Sequence, residues 1–269
     1  MRDGVERQVA DPRGAVVLLA VGSKGSGKTH FCLRFLRHSL ETGAVDKLFL
    51  IAPTAKFEAA DSYRWADPGR VFVVEQYSPA LIHSLLHRAD GGREVSRVAL
   101  FVDDLAAADG TLLWKDPNFS ALVSIARHVK VNIVLAHHSV TGGHCLPTFV
   151  RQNLTHCFLT RIASKKLLEA CFDEWLGLNK AWANFRQFVP WMTELTEAGP
   201  GSGVLVDVAG RTPGLLTWTT KDWWAECAPD VPPKKPPAKT APPPKPRDGS
   251  PEPKRARAGA PVALRAAVQ

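Results

Sequence analysis

Residues 15–31 read AVVLLAVGSKGSGKTHF, and this stretch decides the fold class of the chain. The apolar residues 15–21 predict a strand, a glycine-rich loop follows, and the next residues have the amphipathic pattern of a helix. Residues 22–29 fit the pattern G-x-x-x-x-G-K-[ST] in the strand–loop–helix context that this motif requires. The candidate nucleotide-binding residues are Gly22, Ser23, Lys24, Gly25, Ser26, Gly27, Lys28 and Thr29.

The chemistry of phosphate binding explains these residue types. Glycines let the loop curl so that successive main-chain N–H groups point at a triphosphate, and the helix N-terminus adds positive charge there. Lys28 would reach the β- and γ-phosphates, and Thr29 would place its hydroxyl on Mg²⁺. The alternative, a glycine-rich turn that binds nothing, leaves Lys28 without a role.

Composition limits the class of protein. Of the 269 residues 45% are hydrophobic, so a globular core can form. No run of 18 apolar residues occurs, and residues 1–14 lack the apolar segment of a secretory signal, so we expect no membrane partner. The five cysteines include no C-x-x-C pair, which predicts free thiols in a reducing compartment rather than disulfides or a zinc ribbon.

The C-terminal segment differs from the rest of the chain. Residues 229–269 hold 12 of the 21 prolines and nine Lys or Arg against three Asp or Glu, which is most of the formal net charge of +8. Such a segment cannot bury enough apolar surface to offset its ordering entropy, so we expect a disordered basic tail. The predicted organisation is a flexible N-terminus (1–11), one α/β domain (12–228) and this tail (229–269).

Strand and helix patterns alternate along the predicted domain. The strands are near-continuous apolar runs, which is typical of a mostly parallel sheet flanked by helices on both faces. We expect an edge hairpin at 203–208 and 214–219. The predicted strands are 15–21, 47–52, 71–75, 97–102, 131–136 and 155–160. The predicted helices are 28–41, 79–89, 118–128, 164–175 and 178–188.

A pair of acidic residues, Asp103 and Asp104, ends the hydrophobic strand RVALFVDD. In P-loop NTPases an acid at such a strand end holds Mg²⁺, and Asp103 fits that role. An acid directly after it can polarise or deprotonate the attacking water, so Asp104 is the candidate catalytic base. The alternative is that both aspartates lie in a loop and cap the next helix.

Two further strands, 47–52 and 71–75, lie between the glycine loop and the acid strand in the sequence. This order favours the additional-strand, catalytic-acid class of P-loop ATPases over simple kinases, whose motifs lie on adjacent strands. The strand 131–136 is followed by His137 and His138, and either can hydrogen-bond a γ-phosphate or the attacking water as a sensor. Our candidate is His138. The alternative is a pair of loop histidines with ordinary hydrogen-bond partners.

The segments GSKGSGKTHF, FVDDLAA and IARHVKVNIVLAHHSVTGGHCLPTFVRQN together resemble the genome-packaging ATPases of large DNA viruses. These form the poxvirus-type branch of the FtsK–HerA superfamily. The resemblance covers about residues 12–165 and rests on the order and spacing of the set. This chain has histidine where the family usually has glutamine at the sensor position, and that difference makes pH dependence of the sensor a question.

The resemblance implies a role for each matching residue. ATP would be bound by residues 22–29, Mg²⁺ would be held by Thr29 and Asp103, and Asp104 would act as the base. Arg127 or Arg151 would act as an arginine finger across a subunit boundary, and our candidate is Arg151. For each arginine the alternative is a surface ion pair.

The same resemblance implies a homo-oligomeric ring that moves double-stranded DNA, without reading its sequence, into a capsid with the help of capsid or portal proteins. We name Lys56, Arg64 and Arg70 as candidates for lining the pore. The basic clusters of the tail favour the host nucleus over a cytoplasmic virus factory as the location.

Two other functions compete with packaging. One is a P-loop helicase or other DNA-processing ATPase that is not tied to capsids. The other is a nucleotide-regulated scaffold that uses the proline-rich tail for binding partners. A nucleotide kinase is disfavoured because the sequence has no arginine-rich lid.

Overall fold

The computed structural model describes residues 15–53, 69–88, 96–103, 108–140, 146–177, 182–209 and 215–218. The strands are β1 (Val17–Val21), β2 (Lys47–Ile51), β3 (Val71–Val74), β4 (Val98–Asp103), β5 (Val131–His137), β6 (His156–Leu159), β7 (Gly203–Asp207) and β8 (Leu215–Trp218). The helices are α1 (Lys28–Glu41), α2 (Pro79–Leu86), α3 (Ala108–Lys115), α4 (Pro117–Ile125), α5 (Thr148–Gln152), α6 (Lys165–Cys171) and α7 (Phe185–Glu197). A π-helical turn (Phe172–Leu176) continues α6.

The strands form one sheet in the order β3-β2-β4-β5-β1-β6-β7-β8. The first six strands in this order run parallel, and β7 and β8 are added antiparallel at one side. The predicted α/β fold with a mostly parallel sheet is confirmed, and so is the antiparallel edge pair. The turn that joins β7 to β8 lies outside the described residues.

The strand that separates the two nucleotide motifs is β5. It pairs with β1 on one side and with β4 on the other, so the acid strand is not adjacent to the strand that carries the glycine loop. The predicted additional-strand class is therefore confirmed. The inserted strand is not the one expected from the sequence. The sequence argument used the strands that became β2 and β3, but these lie beyond β4, at the far side of the sheet.

The core is divided by the sheet into two hydrophobic clusters. In the described part of the chain, α1 alone supplies the helical residues of one cluster, and its Phe31 ring stacks on Phe158 of β6 with centroids 3.6 Å apart. The other helices pack their apolar residues into the second cluster. Since α1 follows the glycine loop directly, its burial against β1 and β6 fixes the position of that loop.

The predicted helix 178–188 is wrong in its bounds. Helix α7 begins at Phe185, where the Asn184 side chain accepts a hydrogen bond from the main-chain N–H of Gln187, and it continues to Glu197. Proline removes a main-chain donor, yet Pro190 lies inside this helix. Here the buried residues Phe188 and Met192 lie on both sides of Pro190 and hold the helix against the core.

Three other elements differ from expectation. Helices α3 and α5 are not among the predicted helices, and the predicted helix 164–175 changes after Cys171 into the π-helical turn. The described helices include none that is long and apolar enough to cross a membrane. The proposed boundaries at residues 12 and 229, with the N-terminus and the basic tail, lie outside the described residues and stay predictions.

Candidate nucleotide-binding site

The glycine loop joins the end of β1 to the start of α1. Gly25 and Gly27 have φ angles of 70° and 91°, which favour glycine because other residues rarely adopt this conformation. A Cβ atom at residue 27 would also collide with the main chain of Gly201, whereas a Cβ at residue 25 would meet open space. The loop is therefore packed on one side and open on the other.

Lys28, the first residue of α1, is only 5% exposed. Its ammonium donates to the carbonyl oxygens of Gly22 at 3.0 Å and Ser23 at 3.1 Å. These bonds offset the cost of burying a cation and fix its position within the loop. Lys28, which the motif assigns to the β- and γ-phosphates, therefore has its ammonium positioned inside the glycine loop.

His138 is the sensor candidate that the structure places beside the glycine loop. Its Nδ1 lies 3.1 Å from Lys28 Nζ and 3.1 Å from the carbonyl oxygen of Gly22. In the tautomer that carries no proton on Nδ1, this atom accepts from the ammonium; in the tautomer with an Nδ1–H, it donates to the Gly22 carbonyl instead. His137 ends β5 and its ring packs edge-on against Trp114, with centroids 5.9 Å apart. The two histidines therefore have different surroundings.

The two predicted magnesium ligands lie next to one another. Thr29 Oγ1 donates to Asp103 Oδ1 at 2.9 Å, and Asp103 is only 2% exposed at the carboxyl end of β4. Hydroxyl and carboxylate oxygens are the hard ligands that Mg²⁺ prefers. Asp104, the candidate base, lies outside the described residues.

The two arginine candidates lie away from the loop. Arg127 is exposed in the turn that precedes β5, near the amino ends of the strands. Arg151 is on α5 and donates to Glu174 Oε2 at 3.0 Å and to Thr148 Oγ1 at 3.2 Å. The hydrogen bonds described for either guanidinium group include none to residues 22–29.

Sequence reasoning missed the residues that support the loop from the side of β6. The N–H of Ser23 donates to the carbonyl of Arg161 at 2.8 Å, and the N–H of Ala163 donates to Ser23 Oγ at 2.9 Å. The Ser26 carbonyl accepts from Thr160 Oγ1 at 2.8 Å and from the N–H of Gly201 at 2.7 Å. One signal was available: Thr160 follows an apolar strand, as Asp103 ends one, although no motif marks it.

Cys32 lies one turn of α1 beyond Lys28 and is fully buried. Burial raises the pKa of its thiol well above the usual value, the charge of Asp103 raises it further, and Lys28 opposes the shift. A thiol that stays neutral packs as a small apolar side chain. Cys32 therefore belongs to the support of the loop rather than to its chemistry.

The arrangement fits a nucleoside triphosphate with a divalent cation. The ammonium of Lys28 is buried within the loop, and the Ser26 hydroxyl is buried with no hydrogen-bond partner among the described residues. Thr29 and Asp103 add two oxygen ligands for a cation. A parallel sheet with this loop after β1 and an acid on the non-adjacent strand β4 defines a P-loop NTPase of the additional-strand class.

Comparison with known families identifies the family of this chain. The family model described as "Poxvirus A32 protein" matches residues 13–171, more than half of the chain. The chain therefore belongs to the poxvirus A32 protein family, and the resemblance to poxvirus-type packaging ATPases is confirmed. The comparison with curated proteins finds no match.

Solved structures show the same fold at low sequence identity. The genome packaging NTPase B204 from Sulfolobus turreted icosahedral virus 2, in complex with AMPPCP, is 13% identical with a TM-score of 0.51, and the match covers 76% of this chain and 97% of that one. The cytoplasmic domain of the type VII secretion ATPase EccC from Thermomonospora curvata is 15% identical with a TM-score of 0.51, covering 77% of this chain and 24% of that one.

Proposed function

We propose that this protein is an ATP-hydrolysing motor that translocates double-stranded DNA into a viral capsid. Membership of the poxvirus A32 family supports packaging as the biological role. The observation that carries the enzymatic part is the cluster of Lys28, Thr29 and Asp103 at the carboxyl edge of the sheet.

Residues 22–29 bind the triphosphate in this proposal. Lys28 neutralises the β- and γ-phosphates from within the loop, and the N-terminus of α1 adds partial positive charge. The exposed residues Lys24 and Gly25 lie at the open side of the loop, where a nucleotide has access.

Thr29 and Asp103 would hold Mg²⁺, which when bound would supply positive charge next to the phosphoryl oxygens. The hydrogen bond between the two side chains and the burial of Asp103 keep both ligands in place. Asp104 follows Asp103 by one peptide unit, and we assign it the proton of the attacking water.

His138 senses the γ-phosphate through its contact with Lys28. When the Lys28 ammonium turns to a phosphate, the hydrogen bond between the ammonium and His138 Nδ1 changes, and His138 thereby registers the γ-phosphate. The His138 ring can hydrogen-bond either the phosphate or the attacking water, at the position where the related family usually has glutamine.

Arg151 acts on the site of a neighbouring copy in a homo-oligomeric ring. Its guanidinium is held by Glu174 and Thr148, so it is directed before any partner arrives, whereas Arg127 is exposed in a turn. An arginine supplied in trans stabilises the charge that develops on the transferred phosphoryl group.

The grip on DNA is sequence-independent and comes from basic side chains that contact phosphates. Lys56 and Arg64 keep this assignment as predictions and lie outside the described residues. Arg70 is removed from the candidates, because its guanidinium donates to the main-chain carbonyls of Leu40, Val45 and Asp46 at 3.0–3.1 Å. Those bonds fix the end of α1 instead.

The location and the capsid contact belong to the same proposal. The basic tail directs the protein to the host nucleus rather than to a cytoplasmic virus factory, and a capsid or portal protein receives the motor. Imaging of the full chain beside a chain that ends at residue 228 tests the first part, since equal distribution of the two would contradict it.

ATP turnover by the purified protein, with and without long double-stranded DNA, tests the function. We expect DNA to stimulate hydrolysis, Lys28→Ala to abolish it, and Lys115→Ala, an exposed lysine of α3, to leave it unchanged. Binding of ATP without turnover under either condition would contradict the motor and favour a nucleotide-regulated scaffold. DNA-stimulated turnover by a protein that fails to bind capsid components would favour a helicase.

A further inference from the structure

The carbonyl of Ser26 is held by two donors from outside the glycine loop. Thr160 Oγ1, directly after β6, donates to it at 2.8 Å, and the N–H of Gly201, shortly before β7, donates to it at 2.7 Å. Both donors come from the side of the sheet to which the antiparallel strands are added. The antiparallel part of the fold thus reaches the phosphate-binding loop.

Holding this carbonyl fixes the direction of the next N–H group. In a trans peptide the C=O of one residue and the N–H of the next point in opposite directions, and the described residues contain no cis peptide bond. The Ser26 carbonyl points toward Thr160 and Gly201, so the N–H of Gly27 points away from them. Successive N–H groups of such a loop are the groups that bind phosphate.

Thr160 is built into this position. It is only 1% exposed, its hydroxyl also accepts from the N–H of Arg161 at 2.6 Å, and its own N–H donates to the carbonyl of Val21 at 3.0 Å. A Cβ at residue 22 would lie 2.5 Å from its methyl carbon, so the methyl group packs directly on Gly22. The hydroxyl proton is therefore committed to the Ser26 carbonyl.

From these contacts we infer that Thr160 is a positioning residue for nucleotide binding. Its hydroxyl, with the Gly201 N–H, holds the Ser26 carbonyl so that the Gly27 N–H faces the phosphates. The inference rests on the proposed function, because it needs ATP to be the ligand of the loop. Thr160 acts through the main chain of Ser26 and Gly27 and does not touch the reacting atoms.

The chain offers a matched control in Thr155. Its hydroxyl donates to the carbonyl of Val17 at 3.1 Å and accepts from the N–H of Val17 at 3.0 Å. Thr155 therefore joins the segment before β6 to the start of β1, as Thr160 joins the segment after β6 to the loop. Removing either hydroxyl removes a threonine-to-main-chain bond, but only Thr160 bonds to the loop.

The experiment measures ATP dissociation constants and unfolding temperatures for the wild-type protein, Thr160→Val, Thr160→Ser and Thr155→Val. We expect Thr160→Val to bind ATP about tenfold more weakly. A misaligned Gly27 N–H loses one charge-assisted hydrogen bond to the phosphates, and about tenfold is the usual effect of one such bond. Thr160→Ser keeps the hydroxyl and should bind within about twofold of wild type. Thr155→Val should lower the unfolding temperature and keep wild-type affinity.

Three results would overturn the inference while leaving ATP binding intact. They are wild-type affinity in Thr160→Val, failure of Thr160→Ser to restore affinity, and equal loss of affinity in Thr155→Val and Thr160→Val. If Thr160→Val does not fold, Thr160→Ala removes the same hydroxyl with less bulk and is judged by the same criteria. A wild-type protein that does not bind ATP would instead overturn the proposed function, and this inference with it.

Discussion

The two edges of the parallel sheet are built differently. At the carboxyl edge Lys28, Asp103 and Thr160 are almost completely buried, and their polar atoms are held by hydrogen bonds of 2.6–3.1 Å. Toward the amino edge, Arg127 is exposed before β5, and Arg151 lies on the helix that leads into β6 with a partly exposed ion pair to Glu174. Hydrogen bonds within the chain fix the polar groups of the carboxyl edge, whereas the arginines toward the amino edge are exposed or partly exposed.

This difference bears on how the site is completed. A partly exposed ion pair contributes little to stability, so Arg151 can exchange the carboxylate of Glu174 for a phosphate at small cost. The loop residues cannot move as freely, because Ser23 and Ser26 are tied to the segment after β6 and to the turn before β7. In our account the carboxyl edge of one copy binds ATP and the arginine of the next copy completes the catalytic site.

The largest expected effect comes from Arg151→Ala. If the residue is an arginine finger, turnover at saturating ATP falls by about 10³–10⁵ while ATP affinity stays near wild type. Arg127→Ala is the matched control and should keep most of the activity. The reverse result, with Arg127→Ala inactive and Arg151→Ala active, would exchange the two assignments.

Asp104→Asn should lower turnover by about 10²–10⁴, the usual contribution of a general base. ATP binding should persist, because the amide keeps the size of the side chain and Lys28 and Thr29 are unchanged. Single-turnover hydrolysis with bound ATP measures the chemical step directly. Wild-type hydrolysis in this variant would show that Asp104 is not the base.

The pair Gly27→Ala and Gly25→Ala tests how tightly the carboxyl edge is packed. Gly27→Ala combines a left-handed backbone with a collision against Gly201, so we expect a loss of about 1–3 kcal/mol in the free energy of unfolding. Gly25→Ala has the same backbone cost, about 1 kcal/mol, but open space around the new methyl group. Denaturant titration of both variants provides the comparison, and equal losses would contradict the packing described.

His138→Ala gives a smaller effect, on ATP turnover. The imidazole Nδ1 lies 3.1 Å from Lys28 Nζ, and alanine removes this contact. We expect His138→Ala to lower DNA-stimulated turnover by about fivefold to tenfold, the effect of roughly one hydrogen bond. His138→Gln should stay nearer to wild type, because its amide can still hydrogen-bond the ammonium or a phosphate. Wild-type turnover in His138→Ala would remove His138 from the sensing role.

The smallest effect concerns His156 at the amino end of β6. Burial lowers its pKa below the usual 6.5, and the charge of Asp207 opposes the shift. The unfolded chain therefore binds more protons than the folded one as the pH falls through about 6.5, so stability falls with the pH. His156→Gln should reduce this acid-induced loss of unfolding free energy. An unchanged loss would show that His156 does not contribute.

Local signals made part of this structure predictable. The bounds of α1 match the prediction 28–41, because the glycine loop and the apolar spacing after it are contiguous in sequence. The position of Asp103 beside Thr29 followed from a motif that needs both residues.

Contacts between distant parts of the chain were not predictable in this way. Thr160 meets Ser26 across 134 residues of sequence, Gly201 lies further along the chain still, and no local pattern records either contact. Helix α7 begins and ends later than predicted, and the buried residues Phe188 and Met192 that pack it against the core lie on both sides of Pro190.

A mixing experiment tests most directly whether the two edges form one site across copies. Lys28→Ala cannot use its own loop but still carries Arg151, and Arg151→Ala has an intact loop but no finger. We expect each variant alone to be inactive with DNA and an equimolar mixture to recover ATP turnover well above the sum of the two. A mixture that stays at that sum would contradict the shared site.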